Sequence, residues 1–278
     1  MSEEGIVCDV CMHHCSLKPG QVGRCRARAN INNASTSINY GKITSMALDP
    51  IEKKPLACFH PGSMILSVGS FGCNLNCPFC QNDSIAMAGE QQAETVLVTP
   101  RDLVMKAVSL KDYGNIGLAF TYNEPLIDYE FIRDASKLLH EYGMKSVVVT
   151  NGSITPEAAK EVLPYVDAYN IDLKGFTDAY YKKLGGDLNT VKEFIRLASQ
   201  HAHVELTTLI VPGENDTEQE MKELSTFVAS VDPDIPLHIT RFFPRRNMLD
   251  KQPTDIDLLY RLQVVAEKQL TYVFVGNV

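Results

Sequence analysis

Ala168-Tyr-Asn-Ile-Asp-Leu-Lys174 alternates with a period of two: Tyr169, Ile171 and Leu173 share one face of an extended segment, and Asn170, Asp172 and Lys174 share the other. The same parity sets Val204, Leu206 and Ile210 opposite Glu205 and Thr207, and Leu237 and Ile239 opposite His238 and Thr240. A doubly wound open sheet buries both faces of its strands and reads as near-continuous apolar runs, which these are not. A fully closed eight-stranded barrel fills its centre with branched apolar side chains. Strands that are oily on one side and ionic on the other therefore predict an incompletely closed barrel, its outer faces against helices and its inner faces around a polar ligand.

Short apolar strands are expected near 64–69, 115–120, 146–150, 168–173, 203–211 and 236–241, with a last run at 271–275. Helices are expected between them near 100–111, 128–142, 155–163, 188–201, 216–230 and 254–268. Their starts carry the right signals: Thr99-Pro100, Thr155-Pro156, and Thr217 followed by Glu220. The fold class is α/β, a partial TIM barrel of (β/α)6 type spanning 61–278. Residues 1–60 are rich in Cys, Gly, Asn and Ser, with little periodicity beyond a short ribbon around Ile31 to Met46. They are expected to form a small Cys-rich lobe organised by metal.

The 278 residues are 45% hydrophobic and 22% charged, and no apolar run approaches the roughly 18 residues of a membrane span. The formal net charge of −8 does not match a phosphate backbone. The one basic cluster, Arg24, Arg26 and Arg28, reads as a solvated face, so neither nucleic acid nor membrane is an expected partner. Met-Ser-Glu-Glu-Gly5 has no basic n-region and no apolar h-region, which predicts a cytoplasmic, reducing location where cysteines serve purposes other than disulfides.

The eight cysteines fall into three sets. Cys73, Cys77 and Cys80 form C-x3-C-x2-C directly after the first barrel strand; three thiolates fall one short of a closed zinc site and fit a cubane cluster with one iron free of protein ligation. Cys8, Cys11, Cys15 and Cys25 form C-x2-C-x3-C-x9-C, four ligands that suit a structural zinc or an auxiliary iron–sulfur cluster alike. Cys58 stands alone and reads as a packed or partly exposed thiol. His13 and His14 read as an exposed pair, His238 as a hydrogen-bonded barrel histidine, and Lys53, Lys54 and His60 are assigned no chemistry.

The cysteine triad, with the aromatic Phe79 before its last member, resembles the signature of the radical S-adenosylmethionine (SAM) superfamily. Thr121-Tyr-Asn-Glu124-Pro125 resembles the Gly-Gly-Glu-Pro segment that binds the SAM amino group, with Tyr122 and Asn123 in place of the glycines, and the resemblance implies that Asn123 and Glu124 contact the cofactor. Thr150-Asn151-Gly152 and Asp172-Leu-Lys174 resemble segments of glycyl-radical-enzyme activases, such as those of pyruvate formate-lyase. There the Lys is implied to pair with the SAM carboxylate and the Asp to help bind a cation. Ile210-Val211-Pro-Gly213 matches the segment whose apolar side chains sit against adenine. That class usually has Asp where Val149 stands, and His where Arg241-Phe-Phe243 stands.

Further similarity is to the AmmeMemoRadiSam-system radical SAM enzymes, through Cys8 to Cys25, Asp49-Pro-Ile-Glu-Lys-Lys-Pro55, Phe59-His-Pro-Gly62, Gly72 to Asn82, and Arg241-Phe-Phe-Pro244. The resemblance implies a site-differentiated [4Fe–4S] cluster that reductively cleaves SAM, giving a 5′-deoxyadenosyl radical that takes hydrogen from a protein or small molecule. It also implies an external electron donor such as flavodoxin or ferredoxin. The alternatives are a glycyl-radical-enzyme activase within the same class, and a non-catalytic zinc-binding interaction module outside it.

Overall fold

In the computed structural model, which describes residues 5–278, the Cys-rich segment makes short pairings rather than a layered core of its own. Met1–Glu4, on which much of the reading of the amino terminus rests, lie outside the described residues. Ile6–Val7 pairs antiparallel with Ser16–Leu17, and β1 (Arg28–Ile31) with β2 (Ala34–Ser37). The β1–β2 turn is Asn32-Asn33, both at positive φ (52° and 60°), the double left-handed turn that asparagine tolerates and tight hairpins require. The expected ribbon at Ile31 to Met46 is thus displaced toward the amino terminus. The Asn pair fixes the turn, and the chain beyond it serves the main sheet.

β3 (Ser45–Pro50) pairs antiparallel with β4 (Met64–Gly69). The expected boundary at residue 60 is therefore no break in the sheet. Beyond β4 follow β5 (Asn115–Phe120), β6 (Lys145–Thr150), β7 (Ala168–Asp172), β8 (His203–Ile210), β9 (Leu237–Arg241) and β10 (Val273–Gly276), each parallel to its predecessor. Their spatial order equals their sequence order and the two edges, β3 and β10, do not pair with each other, so the barrel is partial.

The helices are α1 (Pro100–Val108), α2 (Tyr129–Glu141), α3 (Pro156–Val162), α4 (Asp178–Leu184), α5 (Leu188–Ser199), α6 (Glu218–Val231) and α7 (Ile256–Ala266). Thr99, Thr155, Thr177, Asp187, Thr217 and Asp255 each accept a backbone N–H of their helix's first turn, and Thr99 closes a reciprocal box with Asp102. Among the α-helices of the described residues, only α4 and a single turn at Asp83–Ala86 lie outside the expected set. No helix among the described residues is long and apolar enough to cross a membrane.

The strand parity holds. Tyr169 packs edge-on to Phe194 of α5 with ring centroids 5.4 Å apart, and Ile171, Leu206 and Ile239 join the same outer layer. Inside, Asn170 lies beside Glu205 in the ladder, and Thr207 beside His238. The interior is not polar throughout: Ile65, Ala119, Val147 and Ala168 form an apolar floor with Ile51 and Leu56 from the strap 51–60 that joins β3 to β4. Asn170 Nδ2 donates to Pro55 O (2.8 Å), and the buried Glu205 carboxylate accepts from Ala57 N (2.9 Å), Cys58 N (2.8 Å), His203 Nε2 (2.9 Å) and His238 Nε2 (2.7 Å). Cys58 is exposed beside this latch, and Lys54 is buried against Asp49 at 2.9 Å.

The basic cluster is only partly a solvated face: Arg24 is exposed and Arg26 half-buried. Arg28 is buried, its guanidinium forked onto Glu130 of α2 (2.7 and 2.9 Å) and onto Ile127 O (2.9 Å), so it clamps the amino-terminal segment to the barrel.

Burial alone would raise the pKa of Glu205, but the two imidazole donors and two backbone N–H groups outweigh it and hold the carboxyl at about 2, against an ordinary 4.5. A depressed folded-state pKa contributes stability that is present above about pH 4.5 and lost as the pH falls toward 2. Replacing Glu205 by Gln is expected to cost on the order of 2–3 kcal/mol at neutral pH, a deficit that shrinks progressively below pH 4.5. Urea unfolding of both proteins across that pH range measures it; a pH-independent difference would contradict the latch.

Candidate functional site

Cys73, Cys77 and Cys80 lie on the loop that leaves the carboxyl end of β4, the rim where barrel sites are built. The loop is held from several sides. Cys73 N donates to Cys25 O (3.1 Å), Gly72 N to Ile85 O (3.0 Å), Asn76 N to Leu184 O (2.8 Å) and Asn247 N to Pro78 O (2.9 Å). Arg246 Nη1 donates to Cys77 O (2.6 Å) and its Nη2 to Asn76 Oδ1 (2.8 Å), while Arg26 reaches Cys73 O (3.4 Å). His13 is not simply exposed: its Nε2 lies 2.7 Å from Asn74 O. Gly72 permits this docking at φ +88°, where a Cβ would stand 2.5 Å from Cys25 O and 2.8 Å from the Ala27 Cβ.

Burial pushes all three thiols up, Cys77 to about 11. For Cys77, the Lys174 ammonium opposes that effect. Cys73 Sγ accepts from Leu75 N (3.4 Å) and Asn151 Nδ2 (3.7 Å), N–H donors of the kind that favour a thiolate. Soft sulfur donors, one buried and two half-buried, with N–H groups on Cys73 and a nearby cation, fit an iron–sulfur group. Among the described residues no group of three or more His, Cys, Asp or Glu side chains is gathered to hold a single metal ion.

The neighbouring strand ends supply the other expected residues. Glu124 is buried; its Oε1 accepts from Leu126 N (3.0 Å) and Thr150 Oγ1 (2.6 Å), and its Oε2 from Asn151 N (2.7 Å). Three of its roughly four acceptor positions are filled, leaving one on Oε2. Burial raises its pKa to about 7, the three hydrogen bonds only partly opposing it. Asn151 Nδ2 also donates to Asn74 Oδ1 (2.9 Å), and Asn74 Nδ2 to Ser153 O (2.7 Å). Lys174 Nζ pairs with Asp172 at 2.8 Å. Although burial alone would lower the Lys174 pKa, the Asp172 charge and the nearby Cys77 raise it.

Asn123 serves the loop itself: its Oδ1 accepts from Ser70 N (3.0 Å) and its Nδ2 donates to Phe71 O (3.2 Å) and Gly72 O (3.1 Å). Tyr122 stands where the resemblance has glycine, yet its φ of 73° keeps the left-handed backbone that glycine would adopt. Its ring lies over Gly69, and its hydroxyl donates to Asp49 at 3.1 Å. Phe79 and Val211 are buried together with Leu75, Cys77, Tyr180, Phe242 and Met248 beneath the cysteine loop. Arg241 donates to Thr254 O (2.8 Å) and lies over Phe243, away from any catalytic contact of its own.

The four amino-terminal cysteines form a second group. Cys8, Cys11 and Cys25 are buried, Cys15 half-buried, and Cys8 N donates to Cys15 O (2.9 Å). Burial first, with the charges of Cys25, Cys8 and Cys15 adding to it, pushes the Cys11 thiol up to about 12. Sequence reasoning missed Asn74, Arg246, Tyr122 as a backbone substitute for glycine, and Tyr180; only Asn74, inside the Cys-rich run, carried a visible signal.

The chain belongs to the radical SAM superfamily, whose sequence pattern matches residues 67–228. An uncharacterized protein of Methanocaldococcus jannaschii is 39% identical over 281 residues, covering 100% of this chain and 83% of that protein. A pyruvate formate-lyase-activating enzyme of Clostridium pasteurianum is 26% identical over 166 residues, 58% of this chain and 67% of that one, which sets the chain on the activase-like side of the superfamily. Among solved structures, Streptococcus suis SuiB bound to S-adenosylmethionine superposes with a TM-score of 0.58 at 15% identity, over 76% of this chain and 51% of that one. Escherichia coli QueE gives 0.54 at 13% identity, over 84% and 93%. These two likenesses establish the partial-barrel fold. The chain is an enzyme of the SAM-cleaving radical class.

Gly72→Ala should separate the cysteine loop from Cys25. The left-handed φ alone costs about 1–2 kcal/mol, and the contact with Cys25 O adds to it. The expected result is a loss of at least about 2 kcal/mol in denaturant unfolding, together with reduced iron uptake on anaerobic reconstitution. Wild-type stability and iron content would show that the contact does not hold the loop.

Proposed function

We propose that this enzyme holds a [4Fe–4S] cluster on Cys73, Cys77 and Cys80 and binds SAM through the cluster's unligated iron. The observation that carries the reading is the convergence, at the carboxyl ends of consecutive strands, of one buried and two half-buried thiols with the Glu124 carboxylate, the Asn151 amide and the Lys174–Asp172 pair. Bound there, the cluster and SAM would supply reductive carbon–sulfur cleavage and a 5′-deoxyadenosyl radical for hydrogen abstraction from a protein or small molecule.

The chain's own groups bind and orient. Glu124 keeps one free acceptor position on Oε2 for the SAM ammonium and is itself fixed by Thr150 and Asn151. Lys174, held by Asp172, offers its remaining N–H bonds to the SAM carboxylate. Asn123 holds the cysteine loop, so its contribution to cofactor binding is made through that loop. Phe79 and Val211 wall the site with apolar surface on the adenine side and keep water from the thiols.

A one-electron donor such as flavodoxin or ferredoxin supplies the reductant, and the eight free thiols fit a reducing, cytoplasmic setting. We assign a second metal, zinc or an auxiliary cluster, to Cys8, Cys11, Cys15 and Cys25. The segment that carries these cysteines then acts as a metal-organised support whose Cys25 carbonyl anchors the catalytic loop.

Anaerobically reconstituted protein is expected to form 5′-deoxyadenosine from SAM and dithionite. Replacing Cys73, Cys77 or Cys80 with Ala should abolish both the SAM-responsive iron signal and the nucleoside. Lys174→Met should weaken SAM binding by tenfold or more, the loss of about 1.4 kcal/mol or above. Turnover that survives removal of the triad would refute the site. Metal analysis of the Cys8, Cys11, Cys15 and Cys25 variants should show loss of a separate zinc or iron complement with the triad's iron retained.

A further inference from the structure

Two tyrosine hydroxyls among the described residues are buried without a hydrogen-bond partner, those of Tyr169 and Tyr180. A buried donor left unpaired costs roughly 1–3 kcal/mol, and buried tyrosines ordinarily place their O–H on an acceptor. The surroundings of the two differ. Tyr169 points outward into the apolar layer under α5, edge-on to Phe194. Tyr180, on α4, is buried in the cluster of Leu75, Cys77, Phe79, Val211 and Phe242, with Cys73 and Cys80 at its border.

Room for the Tyr180 ring is made by Gly175, directly after Asp172-Leu-Lys174. A Cβ there would lie 2.6 Å from Tyr180 Cδ1. Burial is the first influence on the phenol; among charges the Cys77 sulfur comes first, followed by Lys174, Glu214 and Glu220. Lys174 can only donate. Glu214 pairs with Lys183 at 2.8 Å and Glu220 accepts from Phe176 N at 2.6 Å, and neither lies within hydrogen-bond distance of the Tyr180 hydroxyl. The sulfur of the cysteine loop is the acceptor chemistry packed in the same cluster.

We propose that the Tyr180 hydroxyl donates a hydrogen bond to sulfur of the group held by Cys73, Cys77 and Cys80, either the Cys77 thiolate or an adjacent sulfide. This rests on the assignment of the cluster to those thiols. A donor to sulfur stabilises the more negative, reduced state, so Tyr180 raises the reduction potential of the cluster. The residue acts as a tuning group: it sets how readily an external one-electron donor fills the cluster.

The test is an EPR-monitored redox titration of the anaerobically reconstituted full chain, following the iron signal that responds to SAM. Wild type, Tyr180→Phe and Tyr169→Phe are compared at equal iron content. In Tyr180→Phe the ratio of reduced to oxidised cluster at fixed potential is expected to fall three- to tenfold, a shift of up to about 59 mV for one electron. Tyr169→Phe should titrate as wild type. As a second probe, 3-fluorotyrosine placed at position 180 makes the phenol a stronger donor and should move the potential upward. An unchanged midpoint in Tyr180→Phe with full iron, or in the fluorinated protein should Tyr180→Phe fail to load, overturns the proposal. Absence of a SAM-responsive iron signal in wild type instead overturns the cluster assignment itself.

Discussion

The backbone contact of the Cys73 amide with the Cys25 carbonyl ties the rim thiols to the amino-terminal segment. It forms only because Gly72 lacks a side chain, and it joins the two cysteine sets that the sequence separates. Arg26 and His13 reinforce the same seam from the amino-terminal side, and Arg246 closes it from the loop after β9. A metal that organises Cys8 to Cys25 would therefore also stiffen the support beneath Cys73. The Arg28–Glu130 fork carries the same load further down, where a buried guanidinium without its partner would be costly.

Much of this was legible in the residue order. The barrel strands were readable because a sheet covered by helices outside and lined with polar groups inside imposes a strict period of two, and residues 168–174 obey it. The thiol triad was readable because its three cysteines come from one short loop. α4 was hidden: its seven residues carry too few turns for a helical period, and its start relies on Thr177 alone. Arg28 was misread because neighbouring arginines look alike in sequence, whereas burial depends on whether an acceptor such as Glu130 arrives from a distant helix. Tyr122 was opaque for a different reason. A left-handed tyrosine is rare, and nothing in Tyr-Asn-Glu-Pro announces it.

The interior has two chemical zones stacked along the barrel axis. Toward the rim lie the sulfur, carboxylate and ammonium groups assigned to cofactor. Toward the amino-terminal ends of the strands lies the apolar floor, with the Glu205 latch and the Asp49–Lys54 pair on the strap and its neighbouring strands. Separating them in this way gathers the sulfur and the groups assigned to cofactor at one end and gives the far end to packing and to the ion pairs that hold the strap.

The strap has a consequence for traffic. With Ile51 and Leu56 corking one end of the barrel and Glu205 bolting the cork in place, the chamber becomes a cul-de-sac. Visitors must come and go by the rim or by the seam between β3 and β10.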